Sequence, residues 1–268
     1  MAIPNLIIDQ HVHSSYSPDS SSTLEELVRY ALALGKPAVV TTDHLEYDCK
    51  YFKQDVHIDW NSYDREVVEL AKRYPLEIRK GIEVGFRSDY KDAINKYLAQ
   101  HEFDVILLSA HNDGNLDFSE KAYHDLPMQQ RLRHYFKHVR EAVDQMDNYD
   151  IVAHLDYVTR YTTYPVVEQD LVACKPILYD ILKLIIEKGK VLELNTTGLY
   201  RQGWIHPHPY ILNMYVNLGG RAVSIGSDAH QAGDVQQGFA EAIELLQNVG
   251  IHEVVQYKRR TPYMVPIS

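Results

Sequence analysis

Cysteine is nearly absent: Cys49 and Cys174 are the only two in 268 residues. They form no Cys-x-x-Cys arrangement, which argues against a disulfide framework, a thiolate metal site and dithiol redox chemistry. Any metal must then be held by nitrogen and oxygen. Long apolar runs are missing too. No run approaches the roughly 18 residues of a membrane span, and Met1–Asn5 lacks the basic and apolar segments of a secretory leader, so a cytoplasmic setting is expected. The chain has no Gly-x-Ser-x-Gly, no Cys-x5-Arg and no Asp-x-Asp, and so offers no evident protein nucleophile. Basic side chains are outnumbered, 27 Lys and Arg against 37 Asp and Glu, a net charge of −10. That balance disfavours a broad grip on nucleic acid. No Pro/Gly/Ser-rich linker, low-complexity tract or internal repeat divides the chain, and a composition 45% hydrophobic supports one substantial core, so one domain over residues 1–268 is expected.

What is present is an alternation of short apolar runs with amphipathic stretches. The runs Leu6–Asp9, Ala38–Thr42, Glu77–Val84, Val105–Ser109, Ile151–Ala153, Val191–Leu194 and Ala222–Ile225 are apolar almost throughout, as strands buried on both faces must be. Between them lie helix patterns at 22–28, with Ser22 and Glu25 as a capping box, and at 64–73, 128–146, 177–188 ahead of Gly189, and 239–248. Seven strands alternating with helices make an α/β fold with parallel strands and crossover helices.

Polar residues gather where these runs end. His11 and His13 follow the first, Asp43 and His44 the second, Glu83 closes the third, and His111, His154 and the pair Asp228 and His230 follow the fourth, fifth and seventh. In a parallel α/β barrel those C-terminal ends converge on one face, and alternate residues such as His11 and His13 point the same way. A single histidine at such a position is more often an ordinary core or surface residue. The full set argues for a multinuclear metal centre, with three divalent ions setting six positive charges against the carboxylates of Asp19, Glu83 and Asp228 and so drawing in anions.

His-Val-His at 11–13 with Asp19 beyond it, Thr-Thr-Asp-His at 41–44, Gly-Ile-Glu-Val at 81–84, Ser-Ala-His at 109–111, Ala-His-Leu-Asp at 153–156 and Gly-Ser-Asp-Ala-His at 226–230 resemble the motifs of the polymerase and histidinol phosphatase (PHP) family. Within it the chain is most similar to the stand-alone histidinol-phosphate phosphatases, through His-Ser-Ser-Tyr-Ser-Pro-Asp at 13–19 and His-Leu-Asp-Tyr-Val-Thr-Arg-Tyr at 154–161. The resemblance implies a distorted seven-stranded (β/α)7, TIM-like barrel and up to three divalent ions. It implies that His11, His13, Glu83 and Asp228 hold one ion, Glu83, His111 and His154 another, and Asp19, His44 and His230 the third, with Glu83 bridging. Many relatives have histidine where Asp19 stands; a carboxylate there favours a harder ion, and Ser17-Pro18-Asp19-Ser20 also reads as an ordinary turn. The implied activity is hydrolysis of L-histidinol phosphate to L-histidinol and phosphate, a step of histidine biosynthesis.

The donor chemistry supports phosphoester cleavage without the family. Imidazole and carboxylate suit Zn, Mn or Fe, and two such ions roughly 3.5–4 Å apart can activate a bridging hydroxide and hold both ends of an in-line displacement. Arg160 and Arg201, in loops on the same face, are the candidate phosphate donors, since a guanidinium matches a phosphate bidentately; either could instead be a surface arginine packed on a tyrosine. Asp228, His230 or a metal-held water could return a proton to the leaving group. Asp43 reads as an orienting group for its neighbour. His206-Pro207-His208-Pro209 reads as a loop rather than a metal pair, and Arg131, Arg133, His134, Lys137, His138 and Arg140 as a solvated helix face. The 20 tyrosines could line a substrate pocket, though most belong at the edge of the core. A small-molecule phosphate ester is thus the expected partner, with no membrane or nucleic acid. The alternatives are a PHP-type nuclease or nucleotide phosphodiesterase, a protein-tyrosine phosphatase of that family, and a metal-stabilised interaction domain without catalysis.

Overall fold

Strands that are apolar on both faces need cover on both, and in the computed structural model, which describes residues 3–162 and 164–268, they pair into a mainly parallel sheet. The strands are β1 (Ala38–Thr41), β2 (His44–Cys49), β3 (Gln54–Val56), β4 (Glu77–Gly85), β5 (Val105–Ser109), β6 (Ile151–Val152), β7 (Val191–Asn195), β8 (Val223–Gly226), β9 (Glu253–Lys258) and β10 (Thr261–Pro266). β1 and β2 both pair with β4 in one register, Ala38 opposite Glu77 and His44 opposite Glu83, so they are one strand interrupted at Thr42 and Asp43. From β4 to β8 each strand is parallel to the next.

The first strand differs from expectation. Leu6 lies exposed in a turn, and no ladder forms over Leu6–Asp9. The extended segment falls a few residues later: the Gln10 and His13 amides donate to the carbonyls of Ile225 and Ala229, while the Thr42 amide donates to Val12. This segment therefore joins β8 to β1 and brings the parallel positions around the ring to seven. Ile7 and Ile8 are buried, but a short apolar run does not set where pairing begins.

The helices lie near their expected places. The first, Leu24–Ala33, is capped by Thr23 and Glu26, one residue past the expected Ser22 and Glu25. Ser22 is occupied elsewhere: its hydroxyl accepts the Ala232 amide at 2.7 Å. The helix Trp60–Arg73 starts earlier than expected because Asp59 caps it, and Lys175–Glu187 starts early with a proline in its first turn. On Met128–Gln145 the basic cluster does not form one solvated face. Arg133, His134, Lys137 and Arg140 are exposed, but Arg131 and His138 are buried, Arg131 against His124 and His138 between Phe86 and Phe118.

The C-terminal hairpin β9–β10 has no counterpart in the sequence reading. Its turn residues Arg259 and Arg260 both have positive φ, a turn whose usual Asn-Gly signature is missing. Val255 and Tyr257 pack against an inner cluster that includes Ile8, Val40, Leu107 and Val191, and Arg260 pairs with Asp150 at the start of β6. The hairpin thus plugs the N-terminal end of the strands, leaving the C-terminal end open. Among the described residues no helix is long and apolar enough to cross a membrane.

Candidate metal centre

Glu83, near the end of β4, is the hub. Its Oε2 lies 3.3 Å from His11 Nε2, 3.4 Å from His13 Nε2 and 3.1 Å from His44 Nδ1. Its Oε1 lies 3.3 Å from His111 Nε2 and 2.8 Å from His154 Nε2. Five imidazoles from the segment before β1, from the start of β2 and from just beyond β5 and β6 thus face one carboxylate. Alternation along the extended segment turns His11 and His13 inward together, their Nε2 atoms 3.1 Å apart. Parallel register sets His44 directly across from Glu83. Asp228 follows β8 with φ of +54°, a conformation aspartate tolerates better than most residues. Its Oδ1 stands 3.2 Å from His13 Nε2 and 3.6 Å from His230 Nδ1. Asp19 Oδ2 completes the set, 3.4 Å from His44 Nε2 and 3.2 Å from His230 Nε2.

Four trios place their donor atoms within 4.8 Å of one another: His11, His13 and Asp228; His11, Glu83 and His154; His44, Glu83 and His111; His13, His44 and His230. Ordinary buried polar atoms find hydrogen bonds, yet His44 Nδ1, His154 Nδ1 and Glu83 Oε2 are buried without one. Nitrogen and carboxylate donors converging in this way fit divalent cations. Electrostatics agree. Burial alone would push the Glu83 carboxyl up, but His11, His111 and His44 outweigh it and hold it well below the usual range. Burial acts on Asp228 in the same sense, and His11 and Arg160 overcome it. Burial, then the nearby charges of His230 and His44, drive His13 down to about 3. His11, His44 and His111 rise well above the ordinary value despite burial, through the carboxylates around them.

A layer of carboxylates holds the imidazoles from behind. Glu193 Oε1 is 2.7 Å from His11 Nδ1, and its Oε2 accepts the His154 amide at 2.6 Å. Glu46 Oε1 is 2.6 Å from His111 Nδ1. Asp43 accepts the hydroxyls of Ser14 and Ser17, and Ser17 Oγ in turn lies 3.1 Å from His13 Nδ1. Asp9 accepts the Ser227 and Gln236 amides beneath the Asp228 turn, its carboxyl pushed up to about 6 by burial. Glycines make the room: a Cβ on Gly226 would overlap Glu193 Oε1, and one on Gly85 would overlap the Glu46 carboxylate. Sequence reasoning missed Glu193, Glu46 and Asp9. The available signal was a carboxylate inside an apolar strand, Glu193 between Leu192 and Leu194, a place where an unpaired charge is rarely found.

All of these donors but His11 and His13 line a cavity of about 520 Å3 at the C-terminal ends of the strands, with Arg160 and Arg201 also on its lining. Arg160 Nη2 reaches Asp228 Oδ2 at 2.8 Å, and its guanidinium lies over the Tyr157 ring. Arg201, at the end of the short helix Thr197–Arg201, lies over Tyr200. His206 and His208 stand apart from the donors. His206 is fully buried with Nδ1 2.9 Å from Asp156 Oδ1, and His208 Nδ1 accepts the Tyr210 amide at the start of Pro209–Asn217.

The PHP domain family model matches residues 9–197. The chain belongs to the PHP family. Asp228 and His230 lie past that stretch, so the donor set of this PHP domain extends beyond the matched part. Among curated proteins it is 29% identical over 242 residues to the probable histidinol-phosphatase of Thermotoga maritima, covering 90% of this chain and 91% of that protein. It is 27% identical over 255 residues to the histidinol-phosphatase of Lactococcus lactis, covering 93% and 94%. Among solved structures it matches the histidinol phosphate phosphatase of Lactococcus lactis, complexed with zinc, L-histidinol and phosphate, with a TM-score of 0.82 at 24% identity over 96% of this chain and 98% of that one. That likeness establishes a shared fold for the PHP domain.

Proposed function

We propose that this PHP domain, residues 1–268 acting as one unit, is a divalent-metal-dependent phosphomonoesterase that converts L-histidinol phosphate to L-histidinol and phosphate, a step of histidine biosynthesis. The observation that carries the reading is the convergence of eight further donors on Glu83, with two arginines on the same cavity. The names and bound ligands of the relatives support the choice of ester. His11, His13, Glu83 and Asp228 would hold one ion, Glu83, His111 and His154 a second, and Asp19, His44 and His230 a third. The donor types suit zinc, manganese or iron, with Asp19 favouring the harder ions at its position. When bound, such ions acidify water near neutral pH and set positive charge against phosphoryl oxygens.

The chain's own groups do the rest. Arg160 and Arg201 orient the phosphate. Asp228 Oδ2 is engaged by Arg160, and its Oδ1 faces His11, His13 and His230, where it would serve as a donor to the first ion; the leaving alkoxide would then take its proton from a water held at the centre. His230 has a side chain 20% exposed at the rim, where it steadies Asp19 and Asp228. A diesterase acting on nucleic acid would need a broad basic groove, whereas this cavity sets its two arginines against Glu46 and Asp117. The test is phosphate release by zinc- or manganese-loaded protein, comparing L-histidinol phosphate with other monoesters and with diesters. Strong preference for L-histidinol phosphate is expected. Equal rates across the monoesters would defeat the narrow assignment, and no release from any would defeat the phosphatase reading.

A further inference from the structure

Asp117 is a buried carboxylate with one oxygen left over. It is only 2% exposed. Its Oδ1 accepts the Ser119 amide at 2.8 Å and the Ser119 hydroxyl at 2.5 Å. Its Oδ2 makes no hydrogen bond among the described residues, and the side chain lines the cavity above the metal centre. That oxygen opens on the cavity rather than onto a protein donor. A carboxylate whose task was only to cap the turn at Ser119 could do that from the surface. Asp117 is instead held inside the cavity by its backbone, which pairs with Asn112, while the next amide, Phe118, donates to the His111 carbonyl at 2.8 Å. The free oxygen is thus fixed in position relative to a donor of the metal centre.

The cavity therefore carries both fixed cations and a carboxylate with a free oxygen. Arg160 and Arg201 follow β6 and β7, whereas Asp117 follows β5. Tyr157 and Tyr161 lie on the same lining, their hydroxyls 2.6 Å apart and their rings edge to face. A simple phosphate ester would use the arginines and leave Asp117 unpaired. An ester with a cationic nitrogen a few bonds from its phosphate would pair both. We infer that Asp117 is the specificity determinant of this site, its Oδ2 accepting a hydrogen bond from a cationic nitrogen of the substrate, an ammonium or a protonated imidazole. The inference rests on the phosphomonoesterase reading and adds the residue that selects the cationic end of the ester.

Four alkyl phosphates test it on the metal-loaded protein: L-histidinol phosphate, ethanolamine phosphate with an ammonium and no ring, an imidazolyl-alkyl phosphate without the amine, and ethyl phosphate with neither. The readout is kcat/KM for each cationic ester divided by that for ethyl phosphate. Asp117→Asn, nearly isosteric, should lower the ratio for L-histidinol phosphate about tenfold or more, a difference of about 1.4 kcal/mol. A parallel fall for ethanolamine phosphate identifies the ammonium as the partner; a parallel fall for the imidazolyl ester identifies the ring. Ser119→Ala, which removes the strut on Oδ1, should move the same ratio in the same direction by a smaller factor. Ratios within about twofold of the parent protein in both variants would overturn the assignment, since a purely structural role would depress all four esters together. If the parent protein releases no phosphate from any ester, the phosphatase reading fails instead. Calorimetric binding of L-histidinol to the parent and Asp117→Asn proteins then tests Asp117 alone, and equal affinities would overturn it.

Discussion

Replacing Glu193 with glutamine exchanges one carboxylate oxygen behind His11 for an amide nitrogen and should be felt at the whole centre. Glu193 is buried, and its Oε1 holds His11 Nδ1 at 2.7 Å while His11 Nε2 faces the donors of Glu83, His13 and Asp228. The carboxylate fixes the ring with its proton on Nδ1 and makes Nε2 the better donor. In Glu193→Gln the charge-assisted bond is lost, a contribution of roughly 1.5–3 kcal/mol. Loss of such a partner lowers metal affinity or activity about 10- to 100-fold, which is about 1.4 to 2.7 kcal/mol and agrees with the hydrogen-bond figure. The glutamine oxygen can still accept the His154 amide, so the fold should persist. Glu193→Ala is harsher: it strands both the His154 amide and His11 Nδ1 in a dry interior, at roughly 1–3 kcal/mol each. Gly226→Ala approaches the same contact from the other side, because the new methyl must displace Glu193 Oε1 or the His11 Cβ. The assay is zinc competition against a chromogenic chelator, read beside thermal unfolding and phosphate release. Glu193→Gln with unchanged zinc affinity and unchanged turnover would refute the reasoning, as would Gly226→Ala with both intact.

Loading the metal-free protein should release protons. His11, His44 and His111 have values well above the ordinary one, so they are charged at neutral pH, and each must lose its proton before its nitrogen can bind an ion. Zinc affinity should therefore rise with pH through neutrality; calorimetry in buffers of different protonation enthalpy would show heats that depend on the buffer, and buffer-independent heats would contradict the electrostatics. Arg160→Ala should lower kcat/KM by roughly 100-fold or more, in the range for a lost transition-state donor, while metal content stays intact; unchanged kinetics would remove Arg160 from the site. Asp156 joins the two arginine-bearing loops, its Oδ1 on His206 Nδ1 and its Oδ2 accepting the His208 amide at 2.8 Å. Breaking a buried pair of this kind costs roughly 3–5 kcal/mol. At about 2–4 °C per kcal/mol, Asp156→Ala should lower Tm by around 10 °C and raise KM for the ester, and a Tm within a degree or two of the parent would count against the strap.

Much of the fold was legible because buried parallel strands have a local signature. β5 was bounded to the residue from its apolar run alone, and β4, β7 and β8 to within a residue or so. The elements that slipped have particular causes. Ser22 reads as a helix cap until its hydroxyl is seen to hold the Ala232 amide, 210 residues away. The first strand reads as Leu6–Asp9 until Val12 and its neighbours are found between β1 and β8. The basic residues of Met128–Gln145 read as one wet face until Arg131 and His138 prove buried.

The same division runs through the site. The convergence of His11, His13, His44, Glu83, His111, His154, Asp228 and His230 was readable because histidines and carboxylates are out of place at the ends of apolar strands, and because strand parity and the parallel rule send such residues to one face. Those are constraints between near neighbours in sequence and a general property of the fold. The groups behind them obey no local rule. Glu193 meets His11 across 182 residues and Glu46 meets His111 across 65, and Gly226 and Gly85 matter only because those carboxylates need the space. The sequence by itself determined which chemistry the chain can perform, since donor type and strand position are written residue by residue. Tertiary structure alone decided which nitrogen of each histidine faces the centre, which carboxylate steadies it, and that Asp117 keeps an oxygen free, because each depends on distances between side chains brought together only when the ring closes.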